Sequence, residues 1–114
     1  MHELAITQGL LRVALEQAGT NKVRRIISIK LKIGELTGYV PEAVEQNFEQ
    51  LSAGTIAEGA ALLIEPVPLR CHCKRCGTDY RAARDDFSCP SCRSAEFKIT
   101  GGREMFIESM EVES

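Results

Sequence analysis

The chain has 114 residues, which is enough for one domain or for a small α/β unit combined with a metal-stabilised subdomain. Its formal net charge of -2 argues against nucleic acid as the main partner, because nucleic-acid-binding domains are usually strongly basic. No apolar run approaches the roughly 18 residues that a membrane-spanning helix needs, and no signal sequence is recognisable, so we predict a cytoplasmic protein without a membrane partner.

A first helix is predicted from the helical spacing of four apolar residues, which are Leu4, Leu11, Leu15 and Ala18. Polar residues lie between them, as expected for an amphipathic helix. The helix ends near Gly19, and Glu3 at its start complements the positive end of the helix dipole.

Residues 27–33 alternate strictly between apolar and polar side chains, which predicts a strand with one buried face. A second helix begins at Pro41, a residue favoured at the first helical position, and closes at Gly54. Its apolar residues at i, i+4 and i+7 are Val44, Phe48 and Leu51. A short strand is then predicted over residues 61–67.

The remaining predicted strands lie in and after a cysteine-rich module at about residues 70–100. Within this module, residues 78–81 and 96–99 are predicted as short strands. A closing strand is predicted over residues 104–112, where Glu108 interrupts a face shared by Phe106, Met110 and Val112.

Two Cys-x-x-C pairs lie in the module, Cys73 with Cys76 and Cys89 with Cys92, and twelve residues separate the pairs. At this spacing two turns can close on one tetrahedral ion, and four thiolates favour structural Zn(II). The metal would replace the apolar core that so small a module lacks. A pair of thioredoxin-like redox motifs is the alternative, but Pro90 and the short polar spacer do not supply its strand-to-helix setting.

The order of elements predicts an α+β fold, in which a three-stranded mixed sheet carries two helices on one face and a zinc-ribbon-like subdomain is inserted before the last strand. We assign residues 1–69 and 101–114 to an α/β domain and residues 70–100 to the inserted zinc-binding domain. Five cysteines, an odd number with metal-like spacing, fit a reducing compartment better than a disulfide framework.

The chain begins Met1-His2-Glu3, and His2 is one of only two histidines. The bulk of His2 disfavours removal of Met1, so we expect a free Met1 amine. This amine, the His2 amide and the His2 imidazole can form fused chelate rings around one ion, and the Glu3 amide completes four nitrogens in a plane. Such tetragonal nitrogen coordination suits Ni(II) or Cu(II) better than Zn(II). A simply solvated His2 is the alternative.

The amino-terminal Met-His-Glu, the run Lys-Ile-Gly-Glu-Leu at 32–36, the run Val-Pro-Glu-Ala at 40–43 and the paired Cys-x-x-C motifs together resemble the HypA/HybF hydrogenase nickel-incorporation family. The resemblance covers essentially the whole chain and shows no departure at the metal-binding positions. It implies a nickel metallochaperone, and not an enzyme, that acts in maturation of [NiFe]-hydrogenase and, in some organisms, of urease.

The resemblance also implies site residues and partners. Carried over by position, Ni(II) would be bound in the α/β domain by His2 with the Met1 amine and neighbouring backbone nitrogens, and Glu3 would lie alongside. The implied ligands of structural Zn(II) are Cys73, Cys76, Cys89 and Cys92. The implied partners are a nickel-handling GTPase and the [NiFe]-hydrogenase large-subunit precursor. Whether the protein forms a homodimer is left open.

A zinc-ribbon protein that binds nucleic acid is the competing class. It needs a basic face with exposed aromatic side chains, whereas aromatic residues make up 5% of this chain and tryptophan is absent. An enzyme is disfavoured because four thiolates leave zinc no open position, and no glycine-rich phosphate loop is present.

Cys71 and His72 precede the first cysteine pair. We expect Cys71 to be a partly buried thiol on a strand and His72 to face solvent. Exchange of either residue into the zinc shell, or an ancillary nickel site formed by both, is the alternative.

Overall fold

The computed structural model describes residues 2–114, which form two α-helices, one 3-10 turn and six strands. In chain order these are α1 (Glu3–Thr20), β1 (Arg25–Gly34), the 3-10 turn (Glu35–Thr37), α2 (Pro41–Leu51), β2 (Ala61–Val67), β3 (Arg70–Cys73), β4 (Asp79–Arg81), β5 (Phe97–Gly101) and β6 (Met105–Glu113). A mixed sheet has the order β2-β1-β6, and a separate antiparallel sheet has the order β4-β3-β5. The predicted fold class is confirmed.

The chain divides into two compact units. One contains Ile33–Gly38 and Pro66–Met105, and we call it the cysteine unit. The other contains Tyr39–Glu65, Phe106–Ser114 and the chain up to Lys32. The assignment of residues 70–100 to an inserted domain, separate from residues 1–69 and 101–114, stays a prediction. In the part of the chain that the structure describes, no helix is long and apolar enough to cross a membrane.

The buried stripe of α1 begins with polar residues, which the apolar spacing could not reveal. Its members are Glu3, Thr7, Leu10, Leu11, Ala14 and Ala18. Leu11 and Ala18 therefore lie on the predicted face, whereas the prediction for Leu4 is wrong, since 52% of Leu4 is exposed. The first turns bury Glu3 and Thr7 instead, which rotates the stripe by one residue.

β1 contains one irregular step that changes which side chains are buried. Ile26, Ile29, Leu31 and Ile33 are buried, but 41% of Ile27 is exposed, so the strict alternation predicted from Ile27 onward is wrong at its start. The Gly34 amide donates to Glu104 and the Arg24 amide to Glu113, so a span of ten residues (34 − 24) faces a span of nine (113 − 104). An extra residue of this kind is a β-bulge, and it moves the side chains that follow to the opposite face.

The three apolar residues predicted to share one face of β6 differ in exposure. Phe106 is 46% and Val112 37% exposed, whereas Met110 is half-buried, as are Met105 and Ile107. Glu108 interrupts the apolar pattern because its carboxylate lies 4.0 Å from Lys30 Nζ and 3.6 Å from Lys32 Nζ on β1. An ion-pair ladder on an exposed sheet face explains the charged residue.

α2 follows the prediction closely. Pro41 occupies the first turn, Val40 is the N-cap residue, and Val44 and Phe48 are buried. The helix ends at Leu51, and Gly54 adopts a left-handed φ of 80° in the turn that follows.

We predict that Gly34→Ala destabilises the cysteine unit by about 2–3 kcal/mol, because a Cβ at Gly34 would lie 2.0 Å from the Gly102 carbonyl oxygen, which is backbone and cannot move alone. Thermal unfolding monitored by circular dichroism measures the effect. Gly19→Ala is the matched control, since no atom lies within 4 Å of its added Cβ. Equal melting temperatures for the two variants would contradict the close approach of the two glycines.

Candidate metal centre

The two cysteine pairs sit in turns with the same backbone hydrogen bonds. In the first turn, the Cys73 amide donates to the Thr78 carbonyl (2.8 Å) and the Gly77 amide donates to the Cys73 carbonyl (3.0 Å). In the second, the Cys89 amide donates to Ser94 (3.0 Å) and the Arg93 amide donates to Cys89 (2.8 Å). Each turn thus closes through the residues four and five positions after its first cysteine.

The residue four positions after the first cysteine has a left-handed backbone in both turns. Gly77 has φ 79° and Arg93 has φ 64°. Glycine adopts this conformation freely, whereas a residue with a Cβ is disfavoured there by about 1 kcal/mol. The second turn therefore keeps the shape of the first despite backbone strain at Arg93.

The four sulfurs of these turns converge. The Sγ atoms of Cys73, Cys76, Cys89 and Cys92 all lie within 4.8 Å of one another. Cys73 Sγ is 3.6 Å from Cys92 Sγ, and Cys76 Sγ is 3.6 Å from Cys89 Sγ. A zinc ion with Zn–S bonds of about 2.3 Å holds its sulfurs about 3.8 Å apart in a tetrahedron. The donor set therefore fits Zn(II) after a small contraction, and the separations are much longer than a disulfide bond of about 2.05 Å.

Local hydrogen bonds stabilise thiolates at the first turn. The pKa of Cys76 is lowered to about 6, first by the Thr78 hydroxyl at 3.1 Å and then by the Thr78 amide. The Cys76 amide, 3.4 Å from Cys73 Sγ, is the main cause that lowers the pKa of Cys73. These sulfurs are set up to bind metal, because the thiolate is the ligating form.

At the second turn, the pKa of Cys92 is raised to about 11. The Ser94 amide alone would lower it, but burial and the adjoining thiols Cys73, Cys76 and Cys89 outweigh that hydrogen bond. Four negative sulfurs so close together repel one another, so one of them keeps its proton unless a cation is present. A divalent metal ion would supply the positive charge that keeps all four sulfurs as thiolates.

The surroundings of the sulfurs form the core of the cysteine unit. Its buried members are Leu69, Cys71, Cys73, Tyr80, Ala82 and Cys89. Phe87 and Phe97 stack at 5.1 Å between ring centroids at the margin of this core, and the Tyr80 hydroxyl donates to the Phe87 carbonyl. Two of the four converging cysteines are thus core residues themselves.

Cys71 and His72 lie apart from the four-sulfur group. Cys71 is fully buried in the core, and this burial raises the pKa of its thiol. The next residue, His72, has a side chain 43% exposed, and its Nδ1 lies 2.7 Å from Asp79 Oδ1. Successive strand residues point to opposite faces, which argues against a chelate formed by Cys71 and His72 together.

The second predicted site begins immediately before α1. His2 is exposed, and its carbonyl accepts a hydrogen bond from the Ile6 amide at 3.3 Å. Glu3 is the first helical residue, and the first amides of a helix have no acceptor within that helix. An amide at this position takes no part in the backbone-to-backbone hydrogen bonds of the helix. Met1, whose amine is the remaining predicted ligand, lies outside the described residues.

The Glu3 side chain has a role that sequence reasoning missed. Only 6% of Glu3 is exposed, and its Oε2 accepts a hydrogen bond from the Val40 amide at 3.0 Å. No local pattern links residues separated by 37 positions, so Val40 could not be named from the sequence.

Comparison with known proteins gives one consistent result. A model of the family described as hydrogenase/urease nickel incorporation metallochaperones matches residues 1–112. The hydrogenase maturation factor HypA of Geobacter sulfurreducens is 42% identical over 113 residues, which is 99% of this chain and 100% of that protein. The hydrogenase maturation factor HypA of Caldanaerobacter subterraneus is 40% identical over 114 residues, which is 99% of this chain and 100% of that protein.

A solved structure agrees along the whole length. The solution structure of the nickel metallochaperone HypA from Helicobacter pylori is similar with a TM-score of 0.71 and 27% sequence identity. The match covers 100% of this chain and 99% of that one.

We predict that Cys73→Ser loses the bound zinc and disorders residues 70–100, while Cys71→Ala keeps one zinc per chain. The reason is that Cys73 Sγ belongs to the four-sulfur group and Cys71 Sγ does not, although both residues are fully buried. Zinc content by mass spectrometry and amide spectra by NMR measure the two effects. Full zinc in the Cys73 variant would overturn the assignment.

The matching turns give a reciprocal prediction. Arg93→Gly should stabilise the zinc-loaded protein and Gly77→Ala should destabilise it, each by about 1 kcal/mol, because both positions have left-handed φ. Denaturant unfolding monitored by the release of zinc to a chromogenic chelator gives both values. Effects of the same sign would show that the two turns are not equivalent.

Proposed function

The chain belongs to the HypA family of hydrogenase and urease nickel-incorporation proteins, and on that premise we propose that it binds Ni(II) at its amino terminus and holds structural Zn(II) at the four cysteines. It is a nickel metallochaperone of hydrogenase maturation with a four-cysteine metal site. The family carries metal and does not catalyse a reaction, so the prediction that the chain is not an enzyme is confirmed. Family membership also argues against the alternative, a zinc-ribbon protein that binds nucleic acid.

The observation that best supports the nickel site is the position of His2. Its exposed side chain lies immediately before α1, and the first amide of a helix takes no part in the backbone-to-backbone hydrogen bonds of that helix. Ligation through backbone nitrogen requires loss of the amide proton, and at this position that loss leaves the backbone-to-backbone hydrogen bonds of the helix intact. The Met1 amine, the His2 amide and imidazole, and the Glu3 amide would complete a plane of four nitrogens that suits Ni(II).

Nickel is cargo and must also be released. The proposed ligands lie at a chain end and include only one side chain, so an acceptor can replace them one at a time. A neutral imidazole and a neutral amine are required for ligation, and protonation of either weakens binding. Acidification is therefore expected to favour transfer.

The four cysteines provide a different kind of site. Four thiolates fill the coordination shell of zinc and leave no open position for water or substrate. We propose a structural role for this ion, because the ligands Cys73 and Cys89 are part of the buried core of the cysteine unit. Soft sulfur donors at one site and nitrogen donors at the other would keep the two metals apart.

The maturation pathway supplies the expected partners. We propose a nickel-handling GTPase and the [NiFe]-hydrogenase large-subunit precursor, with urease maturation as a further use in some organisms. The sequence contains no phosphate-binding loop of the form G-x-x-x-x-G-K-[ST], so nucleotide hydrolysis would come from the partner. Five free thiols support the reducing cytoplasm as the compartment.

We predict that His2→Ala lowers nickel affinity by at least tenfold and leaves zinc content and fold unchanged, because it removes the only side-chain ligand of the proposed plane. His72→Ala, which removes the other histidine of the chain, is the matched control and should bind nickel normally. Isothermal titration of the zinc-loaded, untagged proteins measures both affinities.

An amino-terminal extension provides a second arm of this test. It converts the Met1 amine into an amide while keeping every side chain, so nickel binding should weaken as it does in His2→Ala. Unchanged nickel affinity in the extended protein would exclude the amine as a ligand, and a loss in His72→Ala would move the site to the cysteine unit.

A further inference from the structure

Two polar residues occupy core positions at the start of α1. Glu3 is 6% exposed and Thr7 is fully buried, whereas the rest of the stripe is apolar. Burial of a polar side chain is unfavourable unless it is hydrogen-bonded. Both side chains are bonded here, because Glu3 Oε2 accepts from the Val40 amide at 3.0 Å and the Thr7 hydroxyl donates to the Glu3 carbonyl at 2.5 Å. Glu3 is therefore held through both its side chain and its backbone.

The other residue of this contact, Val40, is itself held by backbone hydrogen bonds. Val40 is the N-cap residue of α2, and its carbonyl accepts from the Ala43 and Val44 amides, each at 3.1 Å. The Glu3 carboxylate thus ties the first residue of α1 to the first turn of α2. A negative charge is also favourable at the start of a helix.

We propose that the Glu3 carboxylate is a positioning residue for nickel and not a nickel ligand. Through the Val40 amide it holds the Glu3 backbone, and with it the adjoining His2, in the orientation that the four-nitrogen plane requires. This inference rests on the proposed amino-terminal site. Its consequence is that a residue 37 positions along the chain controls how long nickel stays bound.

Two arguments favour positioning over ligation. Glu3 is a buried residue whose Oε2 already accepts a backbone hydrogen bond, so turning this oxygen toward an ion would leave the Val40 amide without that acceptor. The four nitrogens also fill a square plane without a carboxylate, and strong nitrogen donors suit planar Ni(II) better than oxygen. Prior ordering of a ligand atom raises affinity by reducing the entropy lost on binding.

The test compares nickel release from four zinc-loaded, untagged variants to excess EDTA, followed by the visible absorption of bound Ni(II). Glu3→Ala removes the acceptor and Val40→Pro removes the donor, so both should release nickel about tenfold faster than the unmodified protein. Glu3→Gln still offers an oxygen acceptor and Val40→Ala still offers the amide, so both should release nickel within about twofold of the normal rate. Hydrogen exchange at the amide of residue 40 should be faster in Glu3→Ala and close to normal in Glu3→Gln.

Each outcome decides between the explanations. Normal release from both Glu3→Ala and Val40→Pro would overturn the positioning role, as would equally fast release from Glu3→Gln and Glu3→Ala with a changed visible spectrum, which would make the carboxylate a ligand. If Val40→Pro does not fold by circular dichroism, the Glu3→Ala and Glu3→Gln pair decides alone. An extended amino terminus that leaves nickel binding to the unmodified sequence unchanged would instead refute the proposed nickel site itself.

Discussion

The convergence of four cysteine sulfurs at the ends of two matching turns is the constraint on which the cysteine unit depends. Its strands are only three to five residues long, at the short end of the usual range, so the sheet offers little area for an apolar core. The sulfurs of Cys73 and Cys89 are at once metal ligands in the proposed site and members of the buried core. At the proposed site metal binding and core formation would be one process, in which the free energy of binding contributes directly to folding.

The two proposed sites use different ligands for different tasks, thiolates for a structural ion and nitrogens for an ion that is transferred. A closed shell of four thiolates binds its ion tightly and offers no route for exchange, which suits a structural role. A plane of nitrogens at the chain end is open on both sides, which suits an ion that must be handed over. Because the affinity order of divalent metals is similar at most sites, ligand type and geometry have to provide the selectivity. In the proposed arrangement, sulfur ligands on two matching turns would select Zn(II), and nitrogen ligands at the amino terminus would select Ni(II).

Local patterns in the sequence predicted the elements and the cysteine cluster, whereas features created by long-range pairing escaped them. The bounds of β2 and the start of α2 at Pro41 agree with the prediction, since turn residues and a favoured first helical residue mark them. The exposure of Ile27 follows from a bulge that exists only when β1 pairs with β6. The exposure of Leu4 and the burial of Glu3 follow from a contact with Val40, 37 residues away, which no local spacing can encode.

The most direct test of this account is X-ray absorption at the zinc and nickel edges of one untagged sample loaded with both metals. The account predicts four sulfur neighbours at about 2.3 Å around zinc. Around nickel it predicts only nitrogen or oxygen neighbours, with the pre-edge signature of a planar site. Sulfur scattering at the nickel edge, or fewer than four sulfurs at the zinc edge, would contradict the separation of the two metals between the amino terminus and the cysteines.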